Sequence, residues 1–209
     1  MVTTICWSLP GRVDYALEGI IVSCGATINW LRDGLGLFVD SKETQQMALS
    51  VKNNNGVYLV PAFSGLGAPH WKMDVRAAIL GLTFGCDKNH VVRAALESIG
   101  YQIKDVIAAM EQDSRIQLEE LKVDGGITAN RFAMQFLADL LRTRVVNIGM
   151  EEVSALGAAY LAGFQQGIFK DIGQLESLNI ERKQFCPNTD TKEAYACYEG
   201  WKKAVQQLL

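Results

Sequence analysis

The sequence predicts an α/β domain in which helices pack on a mixed sheet, and three observations carry that prediction. Short β-branched runs alternate with long helical runs along the chain, the order expected of helices laid on a sheet. Between Leu121 and Leu141 a strand, a double-glycine turn and an apolar-striped helix follow one another, as when a strand feeds a crossover helix. No internal repeat or low-complexity tract interrupts the series, so residues 1–209 read as one domain.

Taken in order, residues 15–22 are apolar and β-branched and read as a strand, without an obvious partner upstream. Ile5, Cys6 and Trp7 bring apolar material almost to the first residue, an abrupt entry that predicts a fragment of a longer protein. Residues 26–34 read as a short helix closed by Gly34. Asp40 and Glu43 open a second helix in the manner of a capping box, ahead of Met47, Ala48 and Val51. The run Asn53-Asn54-Asn55-Gly56 forces a turn. Residues 57–60 then form a strand ended by Pro61, residues 64–71 a glycine-rich loop, and residues 77–82 another strand.

The longest helix is predicted over residues 90–112, with Val92, Ala95, Leu96, Ile99, Ile103, Val106, Ile107 and Met110 on one face and Asp87 as its cap. After the strand at 121–123 and the turn Asp124-Gly125-Gly126, a helix carries the stripe Ala129, Phe132, Ala133, Phe136, Leu137, Leu140 and Leu141. Residues 145–148 supply a strand, and residues 153–166 a helix dense in alanine and glycine. Residues 168–188 read as polar and irregular apart from Gly173-Gln174-Leu175, and a last helix spans 191–208 with Ala194, Cys197, Tyr198, Trp201 and Val205 at helical period.

Composition narrows the function. Lys and Arg number 20 against 23 Asp and Glu, a net charge of -3, which leaves no basic excess for a nucleic-acid backbone. No run approaches the roughly 20 apolar residues of a bilayer span. The five cysteines are odd in number and scattered, and the two histidines stand alone. That pattern argues against a disulfide framework or a protein-built metal site and fits a reducing cytoplasm.

The stretch 123–130 is the most informative. Gly125 and Gly126, between a strand and a helix, permit a tight turn and let a ligand reach the main chain, where exposed amides favour an anion such as phosphate. Asn130, one turn on, offers the donor and acceptor that suit a purine edge. Gly25 and Asn29 repeat the arrangement at the head of another short helix, so two such corners suit a clamp on one ligand. The alternative for each is a plain strand-to-helix turn with a solvated asparagine. Asp33, Asp74, Glu97 and Asp124 read as solvated carboxylates, with Glu97 flanking the long helix's apolar face, and Trp30 and Trp71 as core. Ser64-Gly65-Leu66-Gly67 lacks the Gly-Lys-Ser/Thr ending of a P-loop.

Against this background Ala77-x-Ile79-x-Gly81-Leu82, His90-Val91 and Ala94-Ala95-Leu96-Glu97 resemble the C-terminal motif of the FGGY carbohydrate kinase family. The stretches 29–33, 61–71 and 156–163 are similar to members that phosphorylate glycerol. The resemblance covers nearly the whole chain and implies a ribonuclease-H-like domain of the actin and hexokinase type. By it residues 1–209 are a C-terminal nucleotide-binding domain, and the substrate domain, the aspartate base and the phosphate loop precede its start. It implies ATP or ADP and Mg²⁺ as ligands, with Gly126 at the phosphates, Asn130 beside the adenine, and Gly25 and Asn29 as the other wall. Family members often place glutamine where this chain has Asn29, Asp-Pro where it has Lys72-Met73, and glycine where it has Ala77.

The resemblance further implies a parent that converts glycerol to glycerol 3-phosphate, and a chain that is silent alone. Two rivals stand beside this reading. One is a family kinase for another sugar or polyol. The other is a noncatalytic module whose last helix docks a partner through Tyr198, Trp201, Lys202 and Lys203. An apolar face normally covered by the missing domain would favour a homo-oligomer.

Overall fold

A computed structural model describes residues 1–149, 152–176, 183–188 and 192–209. The chain opens with a hairpin, β1 (Val2–Leu9) and β2 (Arg12–Glu18), antiparallel with Leu9 opposite Arg12. The upstream strand that the sequence reading did not recognise is therefore β1. Pro10 fixes one turn position by its ring, and Gly11, at φ +80°, supplies the left-handed one.

Helix α1 (Gly25–Asp33) buries Thr27, Ile28 and Leu31, and α2 (Glu43–Leu49) buries Thr44 and Ala48. Of the expected capping box only the return bond forms: Glu43 accepts from Asp40 N at 2.7 Å, whereas Asp40 accepts from Lys42 N at 2.9 Å in the turn before α2, whose N-cap Lys42 makes no side-chain cap bond. Strands β3 (Tyr58–Val60) and β4 (Ala78–Leu80) pair antiparallel around the glycine-rich loop.

The centre of the molecule is α3 (Lys88–Ser114), 27 residues capped by Asp87, which accepts from Asn89 N and His90 N. Every residue from 94 to 102 is buried. The helix is thus enclosed on all sides over that span rather than apolar on one face, because α1, α2, β3, α4 and α7 all pack on it.

Strand β5 (Glu120–Val123), a short 3₁₀ turn (Gly126–Ala129), α4 (Arg131–Leu141) and β6 (Arg144–Asn147) make a parallel crossover unit. β7 (Lys183–Phe185) pairs antiparallel to β6, giving a mixed sheet of order β5-β6-β7. Residues 168–188 were expected to be irregular apart from 173–175; the short helix α6 (Ile172–Glu176) falls on that excepted stretch, but β7 also lies within the segment. β7 gives no alternating pattern because it has three residues and buries only Phe185. Among the described residues, β1–β2 and β3–β4 remain separate two-stranded sheets.

Helix α5 (Val153–Gln165) carries the small residues noted above. Helix α7 (Lys192–Gln206) closes the fold; Thr191, its predicted first residue, lies outside the described residues. Tyr198 and Trp201 are buried against Tyr101 of α3, with Trp201 stacked on the Tyr101 ring at 5.3 Å. They are core, so they cannot form the exposed docking face of the noncatalytic alternative. Gly200 lets α7 lie close to β3, because an added Cβ there would collide with the Tyr58 hydroxyl.

Candidate functional site

The two glycine-headed corners meet. A cavity of about 650 Å³ is lined by Gly25, Ile28 and Asn29 of α1, by residues 40–42, Thr44 and Gln45 at α2, and by Gly126, Ile127, Ala129 and Asn130. An added Cβ at Gly25 or Gly126 would meet nothing within 4 Å, so the space above both glycines is open to a ligand and not filled by packing. Gly125 stands apart from that cavity. It lines an adjoining one of about 560 Å³ with Gly126, Arg131, Asn147 and Lys183, and its φ of +86° is one that glycine alone adopts readily.

Asn130 departs from the plain-turn alternative, in which it faced solvent. It is 9% exposed and is itself the cap of α4, its Oδ1 accepting from Ala133 N at 3.1 Å while Nδ2 donates to Thr44 Oγ1 at 3.1 Å. Asn29, on the facing wall, is exposed, and no hydrogen bond to its amide occurs among the described residues. The site therefore pairs one fixed amide with one free amide.

Thr44 and Gln45 were missed by sequence reasoning. Gln45 Oε1 accepts from Arg131 N at 2.7 Å, so α2 is tied to the 126–131 turn at two successive residues. These contacts join positions 86 apart, and no local spacing announces them. The one available signal was Thr44 itself, a hydroxyl one turn before buried Ala48 on the inner face of α2.

Asp33, Asp74 and Asp124 are exposed, as expected. Glu97 is not: it is 0% exposed and accepts from Arg93 Nε at 2.8 Å, Asn54 Nδ2 at 2.9 Å and Tyr101 Oη at 3.1 Å. Complete burial pushes its carboxyl above the usual range, against the opposing pull of Arg93, Tyr101 and Asn54. Arg93 continues the network to the carbonyls of Ala48, Val51 and Lys52, so Glu97 anchors α2 and the asparagine turn to α3. Trp30 and Trp71, expected in the core, are 36% and 47% exposed. Trp30 tilts against Phe63, and Trp71 sits in the loop at φ +53°.

His90 caps α3 by accepting from Asp87 N. His70 faces Asp105, which already accepts from Tyr198 Oη and Trp201 Nε1. The described residues contain no group of three or more His, Cys, Asp or Glu placed to hold a metal, and no helix long and apolar enough to cross a membrane.

Residues 5–165 match the model of the FGGY family of carbohydrate kinases, C-terminal domain. Among curated proteins, the glycerol kinase of Alkaliphilus oremlandii is 50% identical over 209 residues, covering 100% of this chain and 42% of that protein. That of Fusobacterium nucleatum is 51% identical over 207 residues, with 99% and 42% covered. The chain thus spans well under half the length of these relatives. Among solved structures, Plasmodium falciparum glycerol kinase with ADP superposes with a TM-score of 0.89 at 37% identity, over 100% of this chain and 42% of that one. A ligand-bound xylulose kinase from Lactobacillus acidophilus gives 0.79 at 22% identity over 92% and 39%, a likeness of fold alone. The fold is the actin- and hexokinase-like ATPase fold of these sugar kinases.

Proposed function

We propose that this chain, which belongs to the FGGY family of carbohydrate kinases, is the adenine-nucleotide-holding domain of a kinase that transfers the γ-phosphoryl of ATP to glycerol. The observation that carries this reading is the meeting of Gly25, Asn29, Gly126 and Asn130 on one cavity. Gly25 heads α1, and Gly126 opens the turn that leads into α4. Bare glycines there let phosphate oxygens approach main-chain amides, and an amide on each wall can hydrogen-bond a base. The residues present therefore fit a nucleotide. Among the described residues no acidic or histidine cluster would hold a metal, so Mg²⁺ would be carried by the nucleotide and would supply charge neutralisation at the phosphates.

Phosphoryl transfer asks the protein mainly for positioning and for stabilisation of spread negative charge. In this reading the chain's share is to fix the nucleotide. Gly126 admits the phosphates, Asn130 and Asn29 hold the base from opposite sides, and the cavity sets the direction in which the terminal phosphate points. The acceptor site and the base belong to the remainder of the longer protein, which closes over the nucleotide before transfer. Glycerol is chosen as acceptor because relatives about half identical across the whole chain are glycerol kinases.

Steady-state assays of the full-length protein test this. Glycerol should give the highest kcat/KM among polyols and pentuloses, and the 209-residue chain alone should give no turnover. A pentulose preferred over glycerol, or glycerol phosphorylation by the isolated chain, would contradict the reading.

A further inference from the structure

The amide of Asn130 is gripped from two sides. Thr44 Oγ1 donates its proton to Ser41 O at 2.6 Å, so toward Asn130 that oxygen acts as an acceptor, and it receives Nδ2–H at 3.1 Å. At the other end Ala133 N supplies a proton to Oδ1 at 3.1 Å. Rotating the amide by half a turn would set donor against donor at Ala133 and acceptor against acceptor at Thr44. Thr44 is 1% exposed and Asn130 9%, so water cannot readily replace either bond. In this orientation one Nδ2–H and one Oδ1 lone pair remain without a partner among the described residues. They form the donor and acceptor pair with which an asparagine reads the N6/N7 edge of adenine, whereas guanine offers two acceptors along that edge.

We infer that Thr44 is a positioning residue that sets base selection, by holding Asn130 in the orientation that favours adenine over guanine. The inference rests on the reading of this cavity as a nucleotide site. Thr44 never needs to touch the nucleotide. It acts through one hydrogen bond across the cavity wall.

Two measurements on the 209-residue chain test it. The first is calorimetric titration with ADP and with GDP of the unsubstituted chain, Thr44→Ser and Thr44→Val, with Thr44→Ala in place of Val where the larger group is not accommodated. The expected result is an ADP preference of about tenfold or more, kept in Thr44→Ser and reduced toward parity without the hydroxyl. A merely structural threonine would weaken both nucleotides together and leave the ratio alone, and an unchanged ratio overturns the inference.

The second is proton exchange at the Asn130 side-chain amide, followed by NMR without nucleotide. One Nδ2 proton should be protected in the unsubstituted chain and in Thr44→Ser and exposed in Thr44→Val. Equal protection in all three overturns the positioning role whatever the titrations give. Absence of any nucleotide binding in the unsubstituted chain counts instead against the cavity's assignment.

Discussion

Glu97 decides more of the local structure than its place in the sequence suggests. Positioned by helical period it is a flank residue, and the apolar stripe of α3 gives no reason to bury it. It is enclosed because Asn54, 43 residues earlier, and Arg93 and Tyr101 on its own helix converge on its two oxygens. Contacts of that separation cannot be read from a local pattern. Removing the carboxylate in Glu97→Ala leaves the Arg93 guanidinium and two neutral donors buried without their acceptor, and should destabilise by about 3–5 kcal/mol in urea denaturation. The pH dependence follows from burial. Because the folded-state pKa lies above the ordinary value of 4.5, this group's contribution is complete below that pH and is lost as pH rises through the raised value. Glu97→Gln, neutral throughout, should therefore lose less stability than the unsubstituted chain between pH 4 and 8 (about), by thermal melts at fixed ionic strength. Parallel melting curves across that range would show that burial does not dominate.

At the scale of elements, most of the fold was legible wherever a helix was long and capped. The start of α3 is written in Asp87 and His90, and the strand, glycine turn and helix of β5 to α4 stand as expected. Asp87 is 56% exposed at its side chain, so its worth is that of a cap. Asp87→Ala should cost about 1 kcal/mol. Slight burial raises its carboxyl pKa, but the bonds from His90 and the first-turn amides outweigh that and hold the net value below 3.8. Its contribution is therefore present above that pH and disappears on acidification, so the stability gap between Asp87→Ala and the parent should close toward pH 3 (about). A gap that persists there would mean the charge plays no part.

The docking of α7 was half legible. Its apolar positions were evident, but whether Tyr198 and Trp201 faced a partner or the core depended on Asp105, which lies 93 and 96 residues away on α3. Asp105→Ala strands two donors in that interface and should cost about 2–4 kcal/mol. A loss confined to a few tenths would place α7 as a loosely held appendage.

For the molecule as a whole, the sequence pattern singled out five residues, but it could not say that four of them share a cavity while Gly125 lines the next one. Nor could it supply the third wall, because α2 enters through Thr44 and Gln45 and nothing in their spacing marks them as neighbours of Asn130. The glycines, by contrast, stand out in the sequence because their property is local: a corner without a side chain leaves the main chain open to approach. This also makes them the sharpest probes, since a Cβ at Gly25 or Gly126 meets no protein atom within 4 Å and a branched side chain there intrudes on the cavity more than on the core. In the proposed function this cavity holds an adenine nucleotide. The most direct test is calorimetric titration of the chain with ADP, alongside Gly25→Val and Gly126→Val. Saturable binding in the parent, lost in both variants while their melting temperatures stay within a few degrees, is the predicted result. Binding that survives both substitutions would contradict it and place the nucleotide elsewhere.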